Sequence, residues 1–326
     1  MRRRFFAVLG VVLPLAWAGT GAAVAAPPPP LAPTSVHVAH IDALSPTRSA
    51  VFVDSPAMGR TVQVQVLHPA NNSPRPSFYL LDGVESGTDE STWTKKTDIV
   101  RFFQNKNVNV VLPVGGTGSY YTDWQKPDPI LGVNKWETFL TKELPPIIDG
   151  DLDGNGVNSI GGLSMGGQSA LALITRHPDL YRGVAAYSAC PSSTDPNAKS
   201  AIRATVASRG GNADNMWGPD DNPDWVSHDP STNAEKLRGK SIYLDVGNGL
   251  PGPYELLPGA DTGTAVIQGG PLEAAARTCT VQFQQRLAQL KIPARFNFRP
   301  YGTHSWPYWQ DALHVSWPTV AASLGD

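Results

Sequence analysis

Gly162-Leu163-Ser164-Met165-Gly166 constrains this chain more than any other stretch. The residues before it, Val157 to Gly161, read as a short strand, and Gly167 to Ile174 read as a helix. A serine on so sharp a strand-to-helix turn has its Oγ pushed outward, where a substrate carbonyl can reach it. The flanking glycines answer a steric demand, because larger side chains there collide with the strand and the helix. Ser164 is therefore the candidate nucleophile, and the backbone N–H of Met165, the next residue, is the candidate oxyanion donor.

The rest of the chain supplies the frame such a turn needs. Val62, Val64 and Val66 alternate with Gln63 and Gln65 at a period of two, the pattern of a half-buried strand. Further strands are expected over 78–81, 108–114, 157–162, 183–188, 241–246 and 295–299, after a first hairpin over 36–53. Helical patterns cover 93–104, 136–148, the stretch after the serine turn to His177, and 272–290. Strands alternating with helices predict a mainly parallel sheet with helices on both faces. With the serine turn, this predicts an α/β-hydrolase fold over residues 36–326. Gly, Pro, Asp and Asn crowd residues 192–229, which reads as an insertion over the edge or mouth of the sheet rather than a second domain.

Arg2-Arg3-Arg4, the apolar run from Phe5 to Trp17 and Ala23-Val24-Ala25 form the three parts of a secretory leader over residues 1–25. Pro27 to Pro30 then open a stiff, extended lead over 26–35. No other segment is apolar and long enough to span a membrane. An exported protein, secreted or held at the cell envelope, is expected. The net charge of −2, with no run of like charges, argues against nucleic acid as a partner. The two cysteines, Cys190 and Cys279, are expected to pair in an oxidising compartment, two free buried thiols being the alternative.

Asp151-Leu152-Asp153-Gly154-Asn155-Gly156 matches the first half of an EF-hand loop. Its twelfth position is Gly162, where calcium binding needs a bidentate Glu, so a turn leading into the serine strand is expected. No metal and no organic cofactor is implied.

A serine hydroxyl needs a neighbouring base, and the base needs an orienting carboxylate. In this fold class the chain order is serine, acid, histidine. Of His177, His228, His304 and His314, only His304 lies in the loop directly after the last strand, where the base belongs. Glu255, Asp261 and Glu273 are all placed to be the acid, and Asp245 lies within a strand.

Several stretches then resemble the antigen 85 mycolyltransferases, in order along nearly the whole chain after the leader. They are Leu80-Leu81-Asp82-Gly83, Pro113-Val114-Gly115-Gly116, Tyr121-Thr122-Asp123-Trp124, Lys135 to Leu140, Gly162-Leu163-Ser164-Met165, Asn215 to Pro219, Gly247-Asn248-Gly249 and Gly302 to Trp309. That family has the α/β-hydrolase fold and moves mycolyl groups between trehalose esters and cell-wall arabinogalactan. The resemblance implies Ser164 as nucleophile and His304 as base. It selects Glu273 as the acid, because Leu272-Glu273 matches the family's Leu-Glu pair before the last strand. It implies the N–H of Val84 as the second oxyanion donor, and sugar contacts from Asp82 and Trp306. Where the family has arginine after Asp-Gly-Leu, this chain has Glu85, which is expected to alter acceptor use. Trehalose mycolates and arabinogalactan-type sugars are thus the implied partners. A secreted carboxylesterase using water, and a non-catalytic wall-binding relative, are the competing readings.

Overall fold

The computed structural model describes residues 32–325. The leader read over 1–25, and the lead at 26–35 up to residue 31, lie outside the described residues. Nine strands form one sheet: β1 (His37–Ser45), β2 (Arg48–Ser55), β3 (Arg60–Leu67), β4 (Arg75–Leu81), β5 (Asn109–Pro113), β6 (Gly154–Leu163), β7 (Tyr181–Tyr187), β8 (Ser241–Val246) and β9 (Arg295–Phe298). Their order is β1-β2-β3-β5-β4-β6-β7-β8-β9. The pairs from β1 to β5 are antiparallel, and every pair from β5 through β4 to β9 is parallel. The expected mainly parallel sheet and fold class are thus observed.

β4 shows why the central strands read as continuous apolar runs. Tyr79 and Leu81 pack into the core on one face, Phe78 and Leu80 into the core on the other. A parallel strand covered by helices on both sides has no polar face to display. One layer includes the serine-turn helix (Ser164–Arg176) and the long helix (Gly270–Gln289); the other includes the C-terminal helix (Trp306–Leu324).

Register gathers the site. Leu81 pairs with Gly162, Leu163 with Tyr187, Tyr187 with Asp245, and Val246 with Phe298. The residues just past β4, β6, β7, β8 and β9 therefore meet at one sheet edge, the carboxyl end, where open α/β sheets hold their ligands.

Three elements differ from expectation. The helix read over 93–104 is two short ones, Thr92–Lys96 and Ile99–Phe103, separated where Thr97 is extended. The helix over 136–148 contains a π-turn at Phe139–Glu143, ahead of Pro145 and Pro146, which lack the N–H an unbroken α-helix would use. The nineteen-residue C-terminal helix was hidden by its prolines: Pro307 sits in the first turn, where no donor is needed, and Pro318 lies inside. The 192–229 insertion carries its own helices, Pro196–Ala207, Ala213–Trp217 and Asp224–Ser227. Residues 152–153 form the turn between the helix Leu144–Asp151 and β6, in place of an EF-hand loop.

Cys190 and Cys279 are bonded, closing a span of 89 residues with Cα atoms 5.0 Å apart. Closing so long a loop contributes roughly 4–5 kcal/mol in the chain-entropy model. Reduction is expected to lower the melting temperature by on the order of 10 °C. Paired thermal melts with and without reductant check this, and two alkylatable thiols in the unreduced, denatured protein would contradict it.

Candidate active site

The serine turn is built by close backbone approach. A Cβ at Gly162 would lie 2.6 Å from the Gly166 backbone, and one at Gly166 would lie 2.3 Å from the Asp82 carbonyl oxygen. Only glycine fits at either point. Ser164 itself takes φ +52°, a left-handed conformation uncommon outside glycine and typical of functional turns. The same contacts press the turn against the end of β4, and a Cβ at Gly83 would lie 2.6 Å from Leu163 Cδ1, so the loop after β4 runs beside the serine turn.

The Ser164 hydroxyl donates to His304 Nε2 at 2.8 Å, and His304 Nδ1–H donates to Glu273 Oε2 at 2.9 Å. The carboxylate can only accept, so it holds the imidazole proton on Nδ1 and leaves Nε2 free to take the serine proton. Glu273 is fully buried. Its other oxygen, Oε1, accepts from the Gly247 N–H at 2.6 Å, Ser188 Oγ at 2.8 Å and Arg299 Nη2 at 3.3 Å. Trp309 Nε1 donates to Ser188 Oγ at 2.9 Å, and the Trp309 ring stands edge-on to His304 at 5.0 Å. Ser188 and Arg299 did not stand out in the sequence, and Gly247 did so only as part of a family-like stretch, with no role attached. Their signal is positional, since Ser188 and Gly247 end β7 and β8 beside the end of the serine strand.

The other acids are placed elsewhere. Asp261 is exposed and caps the turn Thr262–Thr264. Glu255 is buried, and accepts from Thr303 Oγ1, Tyr308 OH and the Gly252 N–H. Burial would raise its carboxyl, but those hydrogen bonds outweigh the effect and hold it below the usual range. It therefore clamps the loop carrying His304. His177 and His228 gather around Glu137, and His314 bonds Asp98, all outside the triad-like group.

Asp82 is a correction. Its carboxylate is 1% exposed and accepts from Ser91 Oγ, the Thr92 N–H and the Trp93 N–H at 2.9–3.2 Å. It closes the start of the helix Thr92–Lys96 and does not line the cleft, so no sugar contact is available to it in this arrangement. Burial pushes its carboxyl up to about 7, against the pull of those donors. Trp306, by contrast, does line the cleft, packed edge-on against Trp93 and Trp309.

Ser164 and His304 open into a cleft of about 750 Å³. Val84, Leu163, Ala265, Leu272 and Trp306 give it an apolar wall, and Glu85, Lys96 and Gln268 are among its polar groups. Glu85 is held by Arg209 at 3.0 Å.

Comparison with known proteins agrees with this geometry. A family model described as "Putative esterase" matches residues 55–319. The "Diacylglycerol acyltransferase/mycolyltransferase Ag85A" of Mycobacterium leprae is 35% identical over 84% of this chain and 82% of its own length. The protein of the same description from Mycobacterium ulcerans is 36% identical over 84% of this chain and 80% of its own length. The chain belongs to the antigen 85 mycolyltransferase family. Among solved structures, MPT51 of Mycobacterium tuberculosis is 25% identical with a TM-score of 0.71, covering 88% of this chain and 99% of that one. An S-formylglutathione hydrolase from Agrobacterium tumefaciens, 16% identical with a TM-score of 0.64 over 87% of this chain and 98% of that one, shares the fold. As a member of the antigen 85 family, the protein is an acyl-transferring or esterase enzyme.

Proposed function

We propose that this protein is an exported mycolyltransferase working through an acyl group on Ser164. The observation that carries the reading is the relay from Ser164 Oγ to His304 to buried Glu273, open to an apolar-walled cleft. His304 Nε2 takes the Ser164 proton as Oγ attacks the ester carbonyl of a trehalose mycolate. The backbone N–H groups of Val84 and Met165 hold the developing oxyanion, each contributing about 2.7–4 kcal/mol to lowering the barrier. The tetrahedral adduct collapses, and the imidazolium returns its proton to the departing trehalose oxygen. A second sugar hydroxyl, of trehalose or an arabinogalactan-type acceptor, then attacks the acyl-enzyme by the reverse sequence. Trp306 offers the acceptor a ring face. The leader sequence and the pairing of the only two cysteines support export. Among the described residues no helix is long and apolar enough to cross a membrane.

The same residues would serve water as acceptor, so the products decide. Incubation with trehalose monomycolate is expected to yield dimycolate in a Ser164-dependent manner. Free mycolic acid alone would make the protein an esterase, and neither product would leave the non-catalytic reading.

Glu85 provides a finer test. Its carboxylate accepts hydrogen bonds but offers none, whereas arginine would present a fork of donors to sugar oxygens. Glu85→Arg is expected to raise transfer to trehalose over hydrolysis by about 2- to 10-fold, the range of one added hydrogen bond. An unchanged ratio would remove this position from acceptor choice.

A further inference from the structure

Arg299 lies behind the carboxylate of Glu273, at a point the proposed reaction does not itself use. Its Nη2 donates to Glu273 Oε1 at 3.3 Å, while its Nε donates to Asp245 Oδ1 at 2.7 Å. All three side chains are buried or nearly so, with side-chain exposures of 10% for Arg299, 1% for Asp245 and 0% for Glu273. Asn297 Nδ2 also donates to Asp245, at 2.6 Å, and Arg299 lies over the Tyr308 ring at 4.8 Å. The histidine loop is shaped around this guanidinium. Gly302 takes φ +113°, and a Cβ there would lie 2.4 Å from Arg299 Nη1.

The geometry points to a positioning role for the Asp245–Arg299 ion pair: Arg299 fixes Oε1 of Glu273 so that Oε2 faces His304, and Asp245 offsets the Arg299 charge so that Glu273 keeps its full effect on the imidazolium. This rests on the reading of Ser164, His304 and Glu273 as nucleophile, base and acid. An uncompensated guanidinium beside Glu273 would cancel the negative charge that stabilises protonated His304. With Asp245 ionised, the three groups together carry one net negative charge, and it faces the imidazole. Burial raises the Asp245 carboxyl, while Arg299 and Asn297 pull it down, so its charge depends on its partners.

Other charged or titratable groups packed around the Asp245–Arg299 pair and the His304 loop include Tyr187 from β7, Tyr243 from β8, Arg277 from the long helix, Glu255 through Thr303, and Tyr308 from the C-terminal helix. Glu85, Lys96, Tyr254 and Asp261 line the cleft. Asp245→Asn leaves all of these in place. The amide oxygen still accepts from Arg299, so the variant removes charge more than shape.

The test is the second-order rate of inactivation by a fluorophosphonate, measured against pH, whose acidic limb reports protonation of His304. In Asp245→Asn the midpoint of that limb is expected to fall by about one pH unit, the effect of an unpaired charge nearby at an effective dielectric near 20. Combining it with Arg299→Met removes both charges, and the midpoint is expected to return towards the wild-type value. A purely structural pair would lower the plateau rate without moving the midpoint, and an unmoved midpoint in folded Asp245→Asn overturns the inference. Should that variant not fold, Arg299→Gln makes the opposite change of charge, and a midpoint that fails to rise overturns it equally. Wild-type protein whose reagent attaches to a serine other than Ser164 would overturn the reading of the site itself, and this inference with it.

Discussion

Ser164→Ala is expected to lower acyl transfer by about 10⁶-fold, because the covalent step has no other oxygen to use. His304 Nε2 accepts from that hydroxyl at 2.8 Å, and Ser164 on the Gly162–Gly166 turn is the proposed nucleophile. The variant should also lose all labelling by serine-directed phosphonates. Stability should change by no more than about 1 kcal/mol, since alanine adds no atom to the tight turn and differs from serine only by the hydroxyl. Turnover and labelling measured beside a thermal melt check this. Stoichiometric labelling of another serine in the wild type would contradict it.

Glu273→Gln is expected to lower kcat by about 10⁴-fold with little change in KM, the pattern of a lost orienting carboxylate. The site itself dictates how the amide would sit. Three donors surround Oε1, from Gly247, Ser188 and Arg299, so the amide oxygen must take that side. Its NH₂ would then face His304 Nδ1 and donate to it, driving the imidazole proton to Nε2. In that tautomer His304 cannot accept the proton of Ser164. Steady-state kinetics on a soluble ester separate kcat from KM. A larger loss in Glu255→Gln or Asp261→Asn would move the acid elsewhere. The structure argues against both, since Glu255 is spent on Thr303 and Tyr308 and Asp261 caps an exposed turn.

The serine turn and His304 were legible in the sequence because each is a local device. Glycines at 162 and 166 declare a tight turn, and a histidine just past the last strand needs only the strand order to be placed. The central strands were legible for the same reason, through runs and alternation that set which face is buried. Glu273 was not separable from Glu255 and Asp261 by spacing, because the path of residues 247–272 decides which carboxylate reaches His304. The family resemblance, rather than spacing, selected it. The burial of Asp82 is not legible in the sequence because its partners, Ser91, Thr92 and Trp93, lie about ten residues on and become a helix start only once the chain folds back. The pairing of Asp245 with Arg299 was hidden for a related reason. It depends on β8 and β9 lying in parallel register, with Val246 opposite Phe298, one residue before Arg299.

The disulfide links these levels. Cys190 follows Ser188 by two residues, and Cys279 lies on the helix that carries Glu273. The bond therefore ties the β7 end, which donates to the acid, to the helix that presents the acid.

The most direct measurement is a peptide map of the protein quenched during turnover of trehalose monomycolate. A mycolyl adduct on the peptide containing Ser164, lost on addition of excess trehalose and absent from Ser164→Ala, is the predicted result. Turnover with the acyl group on another residue, or dimycolate formed by Ser164→Ala at the wild-type rate, would contradict the account.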